Sequence, residues 1–289
     1  MKILVMFGSK SDANIYEPLK KRLESDGHTV DFRMISVHRS PDLLDRELTG
    51  INAQAVVAGA GLAAHLPGVL ASKLLLPVFG IPCTAAMGGV DALFSIIQMP
   101  FGIPVLTVAP DHYDTVADTI LSWKKLDLRY KFEGFNIVCD ANKRNAAHVA
   151  TILGRAQRIA EKTNLEINLM ERPLADAVNI CLVDIDPKNP EAPLSYAVPA
   201  PGGAEVRIYV PVLNEQDYRD PNAAIAVVKR IISAYGGPWV GVNRAGNAML
   251  AALQLANAGG WVQRISYKCE KGLRACLKKC RMIFFTAAQ

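Results

Sequence analysis

Two hydrophobic rhythms alternate along the chain. Short apolar, β-branched runs stand at "KILVMF" (2–7), "TVDFRMIS" (29–36), "AQAVVAGAG" (53–61), "PVFGIP" (77–82) and "PVLTVA" (104–109). Between them lie amphipathic stretches at 13–25, 41–49, 62–74, 88–99 and 113–125. Strands that alternate with helices predict a parallel sheet covered on both faces, a three-layer αβα, doubly wound, flavodoxin-like α/β fold. Sheets of this kind bind ligands beyond the carboxyl ends of their strands. The segments of unusual composition, "GSKSD" (8–12), "SVHRSPD" (36–42) and "AGAGLAAHLPG" (58–68), all fall at those ends.

The charged segment "KLDLRYKFEGF" (125–135) interrupts the rhythm, and "FNIVCDA" then opens a second series. "ILVMFGSKSD" (3–12) aligns with "NIVCDANKRN" (136–145), and "FGIPVLTV" (101–108) with "YGGPWVGV" (235–242), at offsets of 133 and 134 residues. Two tandem similar domains are expected, at 1–130 and 135–260, followed by a helical tail at 261–289. The second copy has "ANKRN" where the first has "GSKSD", and nothing there matches the histidine of "GLAAHLPG". It keeps "NRAGNAMLAALQLA" (243–256), which the first copy lacks, so Asn243 and Arg244 are expected to complete or support the first copy's site.

Composition narrows the function classes. With 289 residues, 51% of them hydrophobic, the chain can build two cores. A formal net charge of +5 with 20% charged residues is too mild and too evenly spread to argue for nucleic acid or a membrane surface. The six cysteines show neither CxxC pairs nor a disulfide framework, and "MKILVMFG" lacks the apolar core of a signal peptide; both favour a reducing, cytoplasmic compartment. No apolar stretch approaches the roughly 20 residues needed to span a bilayer. Cys269, Cys276 and Cys280 share one helical face, which reads as packing in preference to a metal site.

At a strand-to-helix junction, Gly8 permits a tight turn, and Ser9 and Ser11 would offer hydroxyls to a phosphate at the positive end of the helix dipole. Asp12 would repel phosphate and suits sugar hydroxyls; ordinary helix capping accounts for the same residues. Ser40 before Pro41 marks a helix start. That leaves His38, of the one side-chain type suited to proton transfer near neutrality, and Arg39, which can clamp phosphate bidentately. Gly59 and Gly61 can take positive φ and let a flat ligand lie on backbone, and His65 with Leu66 and Pro67 could close the pocket.

Together with "GVDALFSIIQMPFGIPV" (89–105), these motifs over residues 2–109 strongly resemble the PurE family of purine biosynthesis, the carboxyaminoimidazole ribonucleotide mutases and aminoimidazole ribonucleotide carboxylases. The second half resembles the family weakly, through "GGPWVGVNRAGNAMLAALQLA" (236–256). The resemblance implies that Ser9, Asp12 and Arg39 hold phosphate and ribose. Ser36, Gly59, Gly61, Ala63, His65 and Leu66 would surround the ring and carboxylate, with His38 as acid/base. The "AHLPG" form (64–68) is that of the mutase branch, whereas "SVHRS" stands for the more usual "SAHRT" and Leu62 replaces a common glycine.

The implied reaction moves a carboxyl group from an exocyclic nitrogen to ring carbon 4, with neither ATP, metal nor other cofactor. It would pass through CO2 held in a small, dry, apolar pocket made by "GAGLAA" and "CTAAMGG". The partners implied are a phosphoribosyl aminoimidazole and CO2 or its carbamate. Since the family forms octamers, a doubled chain is expected as a homotetramer. The rival readings are a carboxylase using free CO2, a same-fold carboxylase of another nucleotide, a silent nucleotide-binding module and a flavin binder.

Overall fold

A computed structural model describes residues 1–126, 128, 134–189, 202–233 and 237–258. The tail carrying Cys269, Cys276 and Cys280 lies outside the described residues. Strands β1 (Lys2–Phe7), β2 (Thr29–Met34), β3 (Ala55–Ala60), β4 (Val78–Pro82) and β5 (Leu106–Thr107) form a wholly parallel sheet in the order β2-β1-β3-β4-β5. In β1, Ile3, Val5 and Phe7 enter one core cluster while Leu4 and Met6 enter another on the opposite face. Burial on both faces is why this strand reads as an unbroken apolar run.

Helices α1 (Ala13–Ser25), α2 (Pro41–Glu47), α3 (Leu66–Lys73), α4 (Val90–Ile97) and α5 (Tyr113–Lys125) connect the strands. The apolar stripe of α1, Ile15, Tyr16, Leu19 and Leu23, is buried, as its spacing requires. α3 begins four residues later than its pattern suggested. Leu62 adopts φ 54, which no right-handed helix accommodates, and Pro67 then occupies the first turn.

A second parallel sheet holds β6 (Gly134–Val138), β7 (Glu166–Met170), β8 (Val178–Asp184) and β9 (Val206–Val212) in the order β7-β6-β8-β9. Its helices are α6 (Ala147–Thr163), α7 (Glu215–Tyr218), α8 (Pro221–Ser233) and α9 (Ala245–Ala258). Relative to its own first strand, this order repeats that of the first sheet. In both halves the first strand is followed by a single 3-10 turn, Lys10–Asp12 or Ala141–Lys143, capped by a side chain that accepts the N–H two residues on, from Ser9 or Asp140. The strand order and the capped turn after the first strand thus recur in both halves.

The sheets meet at Trp239. It exchanges both backbone hydrogen bonds with Thr107 in antiparallel sense, Thr107 N donating at 2.8 Å and Trp239 N at 2.7 Å. On its other side it joins Tyr209 in parallel sense, through Tyr209 N to Pro238 O (2.9 Å) and Val240 N to Tyr209 O (3.0 Å). Because the contact between halves is antiparallel, the carboxyl ends of the two sheets point to opposite rims of one continuous sheet.

The packing is continuous too. Every residue of α9 from Ala245 to Ala256 is buried, the signature of a helix enclosed on all sides. The indole N–H of Trp123, on α5, donates to the carbonyl of Leu255 at 3.2 Å. A Cβ on Gly246 would strike Phe101 at 2.4 Å, so α9 and the first half touch backbone to ring. One cluster contains Ile3, Trp123, Ile180 and Met249 together. Where the sequence left room for two separate cores, the halves share one, because α9 belongs to both.

Candidate active site

The loops after β1, β2 and β3 enclose a cleft of about 450 Å³ at the carboxyl rim of the first sheet. After β1 the chain turns at once into the 3-10 helix. Gly8 N donates to the carbonyl of Gly59 at 3.2 Å, tying this loop to β3. Ser9 Oγ accepts from Ser11 N at 3.2 Å and lies 2.8 Å from Ser11 Oγ. The capping interpretation of this serine is therefore correct as geometry, and the same hydroxyl still lines the cleft.

After β2, Ile35 N still donates to Phe7 O, and the chain then carries Ser36, His38 and Arg39 over the cleft. Arg39 N donates to Ser36 Oγ and its guanidinium to the carbonyl of Gly8, both at 3.4 Å, so the charge is only loosely tethered. After β3, Gly61 passes so close to the next loop that a Cβ would sit 3.1 Å from both Cys83 O and Ala85 Cβ. His65 then precedes α3.

His38 Nε2 and His65 Nδ1 lie 2.8 Å apart, with the rings at 78° and their centroids 4.9 Å apart. One nitrogen must donate and the other accept, so the two rings share a proton between them. Both are solvent-exposed and line the same hollow as Ser9 and Arg39. Asp12 is the buried charge of the site, 7% exposed. Its Oδ1 accepts from Ser11 Oγ at 2.9 Å, while Oδ2 has no hydrogen-bond partner. Burial raises the Asp12 pKa above its ordinary value, against the opposing hydrogen bond from Ser11 and with help from the nearby Asp111 charge. A ligand donating hydroxyls to Oδ2 would relieve that cost.

The comparisons with known proteins fall on the half of the chain that carries this cleft. The family profile described as AIR carboxylase matches residues 2–142. A Pseudomonas aeruginosa protein named N5-carboxyaminoimidazole ribonucleotide mutase is 43% identical over 122 residues, 41% of this chain and 75% of that one. The chain belongs to the AIR carboxylase family. A mutase of the same name from Methanocaldococcus jannaschii is also 43% identical, over 115 residues, covering 40% of this chain and 73% of that one. Among solved structures, Treponema denticola PurE aligns at 20% identity and a TM-score of 0.37, over 56% of this chain and 96% of its own.

Of the residues singled out in the sequence, Gly8, Ser9, Ser11, Asp12, Ser36, His38, Arg39, Gly61, Ala63, His65 and Leu66 all line the cleft of this family member. Gly59 does not. It lies within β3, where a Cβ would overlap the Phe7 ring at 2.1 Å, so its small size serves packing under the cleft. The positive φ expected at Gly59 or Gly61 falls instead on Leu62. Val37, Ala60, Leu62 and Ala85 complete the lining. Ala60, Leu62 and Ala85 belong to the runs already marked as an apolar wall; Val37 carried no chemical signal.

Two expectations change. Leu62 is 56% exposed and Met87 77%, so the wall meant to be dry is open to solvent within one chain. Asn243 and Arg244 line a different cavity on the opposite rim, because the antiparallel seam turns the second half round. The motif reaches the first half farther along, most directly through the side chain of Asn247. Its Oδ1 accepts from Gly102 N at 3.0 Å, and its Nδ2 donates to Pro100 O at 3.0 Å and Met99 O at 3.4 Å.

Proposed function

We propose that this cleft catalyses the N5-carboxyaminoimidazole ribonucleotide mutase reaction of purine biosynthesis. The observation that carries the reading is the imidazole pair, His38 Nε2 to His65 Nδ1 at 2.8 Å, facing the same hollow as Ser9, Asp12 and Arg39. Arg39 and the Ser9 hydroxyl suit a phosphate, the unpartnered Asp12 Oδ2 suits ribose hydroxyls, and the backbone beside Gly61 suits a flat ring.

Cleavage of the exocyclic N–C bond releases CO2 and leaves the electron pair on nitrogen, which takes a proton from His38. Ring carbon 4 then attacks the retained CO2 and surrenders its hydrogen as a proton to the same imidazole. Charge and protons balance, and the histidine ends as it began. A positioned acid/base of this kind contributes roughly 100- to 10,000-fold. Held by His65 at Nε2, His38 keeps Nδ1 clear of that bond and free for these transfers.

The apolar Ala60, Ala63 and Ala85 form one wall for CO2, and the exposed Leu62 and Met87 beside it are what a second copy of the chain would cover. A homotetramer follows from that reading, measurable by light scattering, as does a cytoplasmic setting. Among the described residues no helix is long and apolar enough to cross a membrane.

The decisive assay is ATP-free turnover with the carbamate and with aminoimidazole ribonucleotide plus CO2 as alternative donors, on wild type and on His38→Asn. A loss of 100-fold or more with the carbamate is expected. A variant that turns over like wild type ends the reading, and turnover with free CO2 alone would shift it to a carboxylase.

A further inference from the structure

The opposite rim of the sheet carries a second cavity, of about 530 Å³, within the range of small-molecule sites. His148 and Arg155 reach it from α6, seven residues apart and hence on one helical face. Arg219 follows α7, and Arg244 precedes α9. The turn that presents Arg244 is fixed: Asn243, at φ 58, accepts from Leu213 N at 3.0 Å and donates to Leu213 O at 2.9 Å.

The charges here are not neutralised from within. Glu215 is the carboxylate of the lining, and it is paired with Arg219 at 2.8 Å. The Nε of Arg244 and the Nε2 of His148 are buried with no hydrogen-bond partner. Asp184 Oδ1 lies 3.7 Å from His148 Nε2, beyond hydrogen-bond length, and Asp184 Oδ2 is bound by Lys143 at 2.7 Å. Buried polar nitrogens left unpaired are costly, and folded proteins keep few of them unless a ligand or ion completes them. This cavity is also no remnant of a first-type cleft. That cleft is built by the loops after its first three strands, whereas this cavity is built largely by the loop after β9 and the turn before α9.

We propose that this cavity binds a small phosphate monoester, with Arg244, Arg155 and His148 around the phosphate. Such a ligand supplies the doubly charged, multi-acceptor group that fills the unpaired donors. The site is independent of the catalytic cleft, and the experiment separates the two. Ribose 5-phosphate serves as the probe in calorimetric titration of the full chain: wild type, Arg155→Ala/Arg244→Gln, and Ser9→Ala/Arg39→Ala.

Two sites per chain are expected in wild type. The Arg155/Arg244 variant should keep one, its affinity at the other falling about ten- to a hundredfold, with carboxyl-transfer turnover unchanged. The Ser9/Arg39 variant should keep the other. Equal melting temperatures without ligand show that a lost site is not a lost fold, and Arg244→Lys, which keeps the charge, should retain most of the binding. One site in wild type that only Ser9/Arg39 abolishes overturns the proposal and leaves the cleft intact. One site that only Arg155/Arg244 abolishes upholds it and removes the phosphate assignment of the cleft.

Discussion

Replacing Asn247 by alanine tests whether the second half holds the first together. Asn247 is 2% exposed and joins α9 to the loop that leads into β5, through Gly102 N, Pro100 O and Met99 O. Alanine fills less space and returns none of these bonds. The Gly102 N–H, paired at 3.0 Å, is left without a partner, while the Pro100 carbonyl loses its 3.0 Å bond and keeps only the longer one from Ile103 N at 3.3 Å. At about 1–3 kcal/mol for the stranded N–H and about 0.5–1.5 kcal/mol for the lost bond to Pro100, the loss is about 1.5–4.5 kcal/mol, a large part of the 5–15 kcal/mol typical of a folded protein. Urea unfolding followed by far-UV circular dichroism and by tryptophan fluorescence reads this directly, since Trp123 in the first half and Trp239 in the second are both buried. One coincident transition is expected, shifted to lower urea with its slope unchanged. Below that transition kcat/KM should match wild type, because the motif lies away from the cleft. A loss under 1 kcal/mol, or two separated transitions, would refute the shared core. A fall in kcat/KM at unchanged stability would return the motif to the active site.

Leu62 gives a backbone test: an L-residue in the left-handed region costs about 1–2 kcal/mol, while glycine gives back about 0.5–1 kcal/mol in chain entropy. Leu62→Gly should therefore melt higher than Leu62→Ala by the equivalent of about 0.5–1 kcal/mol, and an alanine variant at least as stable would contradict the strain. His28 is 5% exposed with both ring nitrogens unpartnered, and burial, followed by the N-terminal and Lys124 charges, lowers its pKa from 6.5 to about 4. Its contribution to stability is complete above pH 6.5 and is lost as pH falls towards 4, a span of roughly 3 kcal/mol, so His28→Leu should flatten the pH dependence of urea midpoints across that window. Asp12 has the opposite sign, because its raised pKa makes the ionised form unfavourable to folding once pH rises through the carboxylate range. Asp12→Asn should raise the melting temperature of the ligand-free chain while lowering kcat/KM about ten- to a hundredfold; a variant that gains neither stability nor an activity defect would remove Asp12 from the substrate site.

The layered fold and the cleft were legible because both rest on short-range signals. Two-sided burial writes unbroken apolar strands such as 2–7, and α1 and α5 begin and end where their amphipathic stretches do. Ser9, His38, Arg39 and His65 stood out as polar residues at strand ends, where packing has no use for them. What escaped depends on contacts across the chain. β5 is two residues long in place of an expected six, and its outer edge is met by Trp239, 132 residues away. Gly59 resembles a ligand-facing glycine until the Phe7 ring is seen beneath it. His148 and Arg155 look like the solvated face of an ordinary helix, and their convergence with Arg244 exists only once α9 has packed.

Joining two sheets at Trp239 also decides how copies of this chain can meet. The inner borders are consumed, which leaves β2 and β7 as the outermost backbone rails of the described sheet, roughly 45 Å apart at about 4.8 Å per strand. Each rail is guarded by charge, the Asp31–Arg33 pair at 2.9 Å on β2 and Glu166 on β7, the device by which proteins discourage edge-to-edge stacking. Growth into a larger particle then proceeds through loops and helical flanks in place of sheet edges, and each added protomer brings two cavity-bearing rims that face away from each other.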